Sequence, residues 1–205
     1  MITSKEAAQY VKDIYNPINE DSFDRIVKTK YITCGIAKKG NTTIFSFPGT
    51  ESNVDFMIDL KSVMGLSYTY CGLVVDSFYE GMEDISNAMT KELMAAKEIA
   101  ITGHSLGCSH AIYLASVCLN AGIKVSSLDL FAPPLSTNAN SVSKLLYNIA
   151  RVRAYINGND PIPFFPIDDR LYQFPVTRMN VSPGWWKRWF PIEWHKMDLY
   201  LKGMI

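Results

Sequence analysis

Gly103-His104-Ser105-Leu106-Gly107 places a serine midway between two glycines, and the chemistry open to a serine so placed is acyl transfer. The apolar run Ile99-Ala100-Ile101-Thr102 precedes these five residues and a long helical pattern begins at Leu106, so Ser105 falls on a junction of strand, sharp turn and helix. A turn this tight holds the serine in a strained backbone conformation, and side chains two positions to either side would collide across it, which Gly103 and Gly107 prevent. The strain aims the Ser105 hydroxyl out at the top of a sheet. There the following helix presents backbone N–H groups and the positive end of its dipole to developing negative charge.

A serine hydroxyl is a poor nucleophile near neutral pH and requires a histidine within hydrogen-bond reach, itself oriented by a carboxylate. The chain has three histidines. His104 adjoins Ser105, its side chain diverges from the hydroxyl on this geometry, and it is expected to pack beside the turn. His110 lies one turn past Gly107 on the helix and reads as a core or surface residue. His195, in Glu193-Trp194-His195-Lys196-Met197-Asp198-Leu199-Tyr200, sits on a loop feeding a short final helix, where a sheet presents catalytic groups, and is the expected base. For the carboxylate, Pro161 confines Asp160 to extended geometry at the exit of the strand predicted at 151–156. Asp168 and Asp169 belong to a charged turn, Asp129 lies inside a strand pattern, and Asp198 follows His195 closely, so Asp160 leads. Two donors must also receive the oxyanion. The Leu106 N–H is one by construction, and Thr50, leaving a strand at Phe47-Pro48-Gly49, is the expected second. Cys108 follows the turn, but the exposed position there belongs to Ser105.

The elements that must position these groups read as follows. Thr3 and Glu6 are spaced as a capping box for a helix over 3–15 with Ala7, Tyr10, Val11 and Ile14 on one face. A short helix is expected over 22–28, then strands over 31–37 and 42–47 joined by Lys38-Lys39-Gly40-Asn41 as a hairpin. Residues 52–63 suggest another short helix, and the stretch through Tyr68, Tyr70 and Gly72 an irregular flap. Phe78, Met82, Ile85, Met89 and Leu93 recur at helical spacing and predict one helix of about twenty residues. Strands at 99–102, 124–131 and 151–156 then alternate with helices ending near Asn120 and at 139–149. This alternation predicts a mostly parallel sheet covered on both faces, with the amino-terminal hairpin adding antiparallel strands at one side.

Length and composition fit one domain, 1–205, with 48% hydrophobic residues. Twenty basic and twenty acidic residues cancel, leaving no global field to recruit nucleic acid, and no nucleic-acid partner is expected. The longest apolar stretch, near Ala111 to Leu119, falls far below the roughly 20 residues that span a bilayer. The amino-terminal residues carry polar and acidic groups where a secretory signal would be apolar, so a cytoplasmic location is expected. The four cysteines form no Cys-x-x-Cys pair and no metal-ligand spacing with the histidines. Free buried thiols, no metal and no organic cofactor are expected.

Five segments in order, FSFPGTESNVDFMIDL, VVDSFYEGM, ITGHSLG, YINGNDPIPFFP and WHKMDLYL, resemble the class 3 lipases, the fungal triacylglycerol-lipase-like branch of the α/β-hydrolases. The chain order Ser105, Asp160, His195 is also that of the α/β-hydrolases. The resemblance implies an α/β-hydrolase fold, a serine esterase or lipase acting on lipid esters, the triad Ser105, Asp160 and His195, and an oxyanion hole from Thr50 and Leu106. The sequence departs from the family at Pro48, where arginine is usual, at Val75 and Ser77, at Cys108, and in Ala132-Pro133-Pro134. An acyltransferase or thioesterase with the same triad is one alternative, and a catalytically silent lipid-binding module another. All four tryptophans fall between Trp185 and Trp194. They read either as a packed wall of the acyl pocket or as a transient contact with a lipid interface through Trp185, Trp186 and Trp189, with Lys187 and Arg188 alongside.

Overall fold

The Thr3 hydroxyl accepts from the Glu6 N–H while the Glu6 carboxylate accepts from the Thr3 N–H, so the expected capping box starts helix α1 (Ser4–Ile14). These contacts come from a computed structural model that describes residues 1–16, 21–50, 65–185 and 187–204. Strands β1 (Arg25–Lys28), β2 (Thr33–Lys39) and β3 (Thr42–Phe47) pair antiparallel in sequence. Strands β4 (Leu66–Thr69) and β5 (Gly72–Val75) form a separate ribbon. The main sheet continues from β3 through β6 (Glu98–His104), β7 (Val125–Phe131), β8 (Arg151–Asn157) and β9 (Val176–Met179), all parallel, in the order β1-β2-β3-β6-β7-β8-β9. This is the mostly parallel mixed sheet with an antiparallel amino-terminal hairpin that the alternation of patterns predicts.

Both faces of the sheet are covered, which is why β3 and β7 are buried along their whole length and read as continuous runs. Phe45, Phe47, Ile101 and Leu128 face a core closed by α2 (Asp76–Tyr79), α3 (Met82–Ala88), α4 (Thr90–Ala95), α5 (Leu106–Asn120) and α6 (Ala139–Asn148). Ile44, Ala100 and Phe131 face a second core under α1 and α7 (Met197–Gly203), where Ala7 and Ala8 let α1 lie close to the sheet. Parallel pairing brings the carboxyl ends of β3, β6 and β8 to one rim.

Three expectations change. Residues 25–28 form edge strand β1 rather than part of a helix: Val27 is buried, and the backbone groups gain partners along β2 that a lone helical turn would lack. The predicted long helix is broken into α2, α3 and α4. Phe78, Met82, Ile85, Met89 and Leu93 are all buried as their spacing requires, but Gly81 adopts φ 81° and separates the first turn from the rest. The stretch through Tyr68 and Tyr70 is the β4–β5 ribbon, turned at Gly72 with φ 97°. Strand β9 carried no clear pattern because only four residues pair. The helix expected over 52–63 lies outside the described residues.

Asp129, fully buried in β7, accepts from the Ser4 hydroxyl at 2.5 Å and pairs with the Arg151 guanidinium at 2.6 Å. It fastens α1 to the sheet, and this is the physical reason it is not available as the triad acid. Removing one partner of a buried pair leaves the other charge uncompensated. Asp129→Ala is expected to lower unfolding stability by roughly 3 kcal/mol in a urea titration while the expressed protein keeps its ester turnover.

Candidate active site

The elbow at Ser105 has the strained geometry its glycines imply. Ser105 lies at φ 56°, ψ −129°, a region that residues with a side chain seldom occupy. Its N–H donates to the Phe131 carbonyl at 2.9 Å, and its own carbonyl accepts from the Cys108 N–H at 2.9 Å. A Cβ on Gly103 would lie 2.3 Å from the Gly107 carbonyl oxygen, the collision across the turn expected from sequence. A Cβ on Gly107 would instead lie 2.3 Å from the Phe47 carbonyl oxygen, so this glycine is required by the close approach of α5 to β3. Leu106 opens α5, and its N–H has no intrahelical acceptor. Thr50 is exposed beyond the end of β3, one residue past Gly49, which packs against Ser105.

Asp160 follows β8 and is completely buried. Its Oδ2 accepts from His195 Nδ1 at 2.8 Å and from the Tyr200 hydroxyl at 2.6 Å, and its Oδ1 accepts from the Ile162 N–H at 3.0 Å. Three donors on one carboxylate keep a buried charge solvated by the protein. With Nδ1 committed to Asp160, the other ring nitrogen of His195, Nε2, is buried and has no hydrogen-bond partner among the described residues. No hydrogen bond joins it to Ser105 Oγ; such contacts are commonly long before substrate binds. His195 is brought beside the elbow by His104. The two rings lie 4.5 Å apart, and His104 Nε2 donates to the His195 carbonyl at 2.8 Å. The loop bearing His195 is further held by Asn157, whose Nδ2 donates to the Trp194 carbonyl at 3.2 Å, and by the Trp194 ring, which occupies the space beside Gly158.

The competing residues are accounted for. His104 packs beside the turn as expected, and burial together with the adjacent His195 holds its pKa well below the usual histidine range, leaving it neutral. His110 is buried on α5 with its ring against Phe47. The Cys108 thiol is enclosed and directed at the Gly103 and Phe131 carbonyls, and burial pushes its pKa well up, so it offers no thiolate. All four cysteines are free and buried. Asp168 pairs with Arg170, and Asp198 with Lys12 at 2.8 Å. Sequence reasoning missed Tyr200 and Asn157, which support Asp160 and the His195 loop, and Tyr15, whose hydroxyl contacts both Gly49 and His104. Nothing in their local patterns marks them, because these side chains meet Gly49, Asp160 and Val181, partners 24 or more residues away in the chain.

The tryptophans divide between the two readings. Trp194 is 6% exposed and packs in the wall of the site, whereas Trp185 and Trp189 are 78% and 74% exposed. Trp186 lies outside the described residues.

A mostly parallel sheet flanked by helices, with a strained serine, a histidine and a carboxylate gathered at the carboxyl ends of its strands, defines an α/β-hydrolase. The class 3 lipase pattern matches residues 44–170, more than half of the 205 residues. The chain belongs to the class 3 lipase family and is a carboxylic-ester hydrolase. The matched segment contains Ser105 and Asp160, and His195 lies beyond it. Among solved structures, the chain is similar to a lipase from Rhizopus microsporus var. chinensis, with 14% identity, 80% of this chain and 66% of that one covered, and a TM-score of 0.64. It is likewise similar to the Rhizomucor miehei triacylglyceride lipase, with 15% identity, 87% and 77% covered, and a TM-score of 0.66. A mono- and diacylglycerol lipase from Aspergillus oryzae shares 17% identity, with 74% and 61% covered and a TM-score of 0.60. At these identities the likeness is one of fold. The chain spans about two thirds to three quarters of the length of the first two. Comparison with curated proteins gave no match.

Burial pulls the His110 pKa down from 6.5 to about 3. Between these values the unfolded chain binds a proton that the folded one does not, so stability falls as pH drops from 6.5 toward 3 and is unaffected above that window. The thermal midpoint is expected to fall on acidification through this range. In His110→Leu, which keeps the volume and removes the buried Nδ1 that lacks a partner among the described residues, the fall should be shallower, while ester turnover stays within a few-fold of the parent.

Proposed function

We propose that the chain hydrolyses lipid esters through an acyl intermediate on Ser105. His195 Nε2 takes the Ser105 proton as Oγ attacks the ester carbonyl, and the resulting oxyanion is received by the Leu106 N–H and by Thr50. The C–O bond to the alcohol then breaks as His195 returns the proton to the leaving oxygen. A water, deprotonated by the same nitrogen, attacks the acyl-Ser105 carbonyl, and the acid is released as the bond to Ser105 Oγ breaks and His195 returns the proton to Oγ. Asp160 keeps Nδ1 protonated, so that Nε2 is the basic atom, and balances the imidazolium that forms in each half-reaction. The observation that carries this reading is the buried Asp160–His195 pair, 2.8 Å apart, whose second imidazole nitrogen has no partner among the described residues and lies beside the strained Ser105. Support also comes from a triacylglycerol lipase similar in fold, with 15% identity and a TM-score of 0.66, described as built on a serine protease triad.

Trp185, Trp189 and Phe190 are exposed on the segment leading to His195, and the Arg188 guanidinium lies 5.4 Å from the centre of the Trp189 indole. Aromatic rings beside basic groups suit the boundary between water and lipid. In this reading the segment seats on the lipid surface, while Trp194 stays in the protein wall.

Ser105→Ala, Asp160→Asn and His195→Ala should each lower turnover of p-nitrophenyl esters by about a thousandfold or more with the fold retained by circular dichroism, because these groups act as one unit. A fluorophosphonate should label wild type and not Ser105→Ala. Full turnover in Ser105→Ala would remove the proposal.

Surface action predicts a second outcome. Along a series from acetate to palmitate, activity should favour medium or long chains and rise when the ester forms micelles. Trp185→Ala/Trp189→Ala should lose that rise and keep the activity on soluble acetate. Acetate as the best substrate, with micelles having no effect, would identify an esterase of small soluble esters.

A further inference from the structure

We infer that Tyr15 is a positioning residue for this reaction, its hydroxyl tying the strand exit that carries Thr50 to the imidazole that underlies the base. The inference rests on the roles proposed above for Ser105, His195 and Thr50.

Tyr15 is the residue at the carboxyl end of α1, and its half-buried side chain reaches the rim from outside the sheet. Its hydroxyl oxygen accepts from the Gly49 N–H, and the hydroxyl lies 2.8 Å from His104 Nδ1. The opposite nitrogen of His104 is 2.8 Å from the His195 carbonyl. These partners allow one arrangement of protons. A carbonyl can only accept, so His104 carries its hydrogen on Nε2. His104 is neutral, so its Nδ1 is a bare acceptor and the Tyr15 O–H points to it. A lone pair of the hydroxyl then accepts from the Gly49 N–H. The chain of donors runs Gly49 N–H to Tyr15, Tyr15 O–H to His104, and His104 N–H to the His195 carbonyl.

Both ends of this chain meet groups assigned to the reaction. At one end, Gly49 packs so closely on the nucleophile that a Cβ there would lie 2.7 Å from Ser105 Cβ and 2.7 Å from the Tyr15 hydroxyl oxygen. With its N–H held by Tyr15, the Pro48–Gly49 peptide, adjacent to the one that carries the Thr50 N–H, is fixed beside Ser105. At the other end, the His104 ring lies 4.5 Å from the His195 ring and meets Tyr200, which itself donates to Asp160. Tyr15 thus links the donor side of the site to the base side, on a path separate from the Asp160–His195 bond. Tyr15 and Thr50 also border one cleft of about 370 Å³, together with Lys12, Lys196 and Asp198. A direct contact of Tyr15 with substrate would therefore appear as a change in KM, whereas positioning acts on kcat.

The test is Tyr15→Phe, which keeps the ring and removes the hydroxyl, assayed on soluble p-nitrophenyl acetate beside wild type, Ser105→Ala and Thr50→Val. Tyr15→Phe should lower kcat by about tenfold to a hundredfold with KM within about twofold, as expected when preorganised donors lose alignment. Because Tyr15 acts through the strand exit bearing Thr50, the combined Tyr15→Phe/Thr50→Val loss should be smaller than the product of the single losses. His104→Gln, made in the same background, should give a loss of similar size that again fails to multiply with that of Tyr15→Phe, and it serves where Tyr15→Phe melts below the assay temperature. Unchanged kcat, a rise in KM alone, or losses that multiply in both pairs would each overturn the inference. An inactive Ser105→Ala beside a fully active Tyr15→Phe would overturn it while leaving the proposed hydrolysis standing, and an active Ser105→Ala would overturn both.

Discussion

The backbone of Ser105 is held where serine would not go by itself, and much of the molecule serves to keep it there. A residue at φ 56°, ψ −129° carries strain of about 1–3 kcal/mol, which persists only when its surroundings over-determine it. They do so here from three directions. The β7 end accepts from the Ser105 N–H, helix α5 donates the Cys108 N–H to the Ser105 carbonyl, and Gly107 lets that helix press onto the Phe47 carbonyl of β3. Helix α5 is buried almost all round, so its position cannot relax without opening the larger core.

The second face of the sheet performs a different task. Helices α1 and α7, packed on Ile44, Ala100 and Phe131, bring Tyr15 and Tyr200 to the rim from opposite ends of the chain. Each phenol meets a group the sequence leaves incomplete: Tyr200 supplies one of three donors to Asp160, and Tyr15 gives His104 its second partner. The result is a site in which Asp160 is fully hydrogen-bonded and the buried neighbour of the base, His104, is neutral. A cationic ring against His195 would oppose the imidazolium that hydrolysis requires. Burial at His104 therefore has a chemical consequence as well as a packing one.

The Trp185–Trp194 segment shows why residue type alone divides so poorly between core and surface. Trp194 fills the space that Gly158 leaves and donates its indole N–H to the Arg188 carbonyl. Trp185 and Trp189, a few positions away, are exposed. The difference comes from contact with β8, which no composition or period in the segment reports.

What the sequence by itself determined about this protein was local or periodic. The capping box at Thr3 and Glu6, the spacing that buries Phe78, Met82, Ile85, Met89 and Leu93, and the glycine-flanked turn at Ser105 each depend on neighbours within a few residues, and each is found. The alternation of strand and helix likewise carried the sheet's parallel character, since parallel neighbours need crossovers. Even Asp160 and His195 were legible, because few carboxylates and histidines fall just past predicted strands or on the final loop. Tertiary structure alone decided the rest. Residues 25–28 became a strand because β2 offers an edge, and Gly81 broke a helix whose apolar period continues through it. Asp129 went to Arg151, and Tyr15, His104, Asn157 and Tyr200 joined the site through contacts spanning tens of residues. Side chains that meet only after the chain has closed on itself leave no spacing in the sequence, because the geometry that unites them is set by packing on both faces of the sheet.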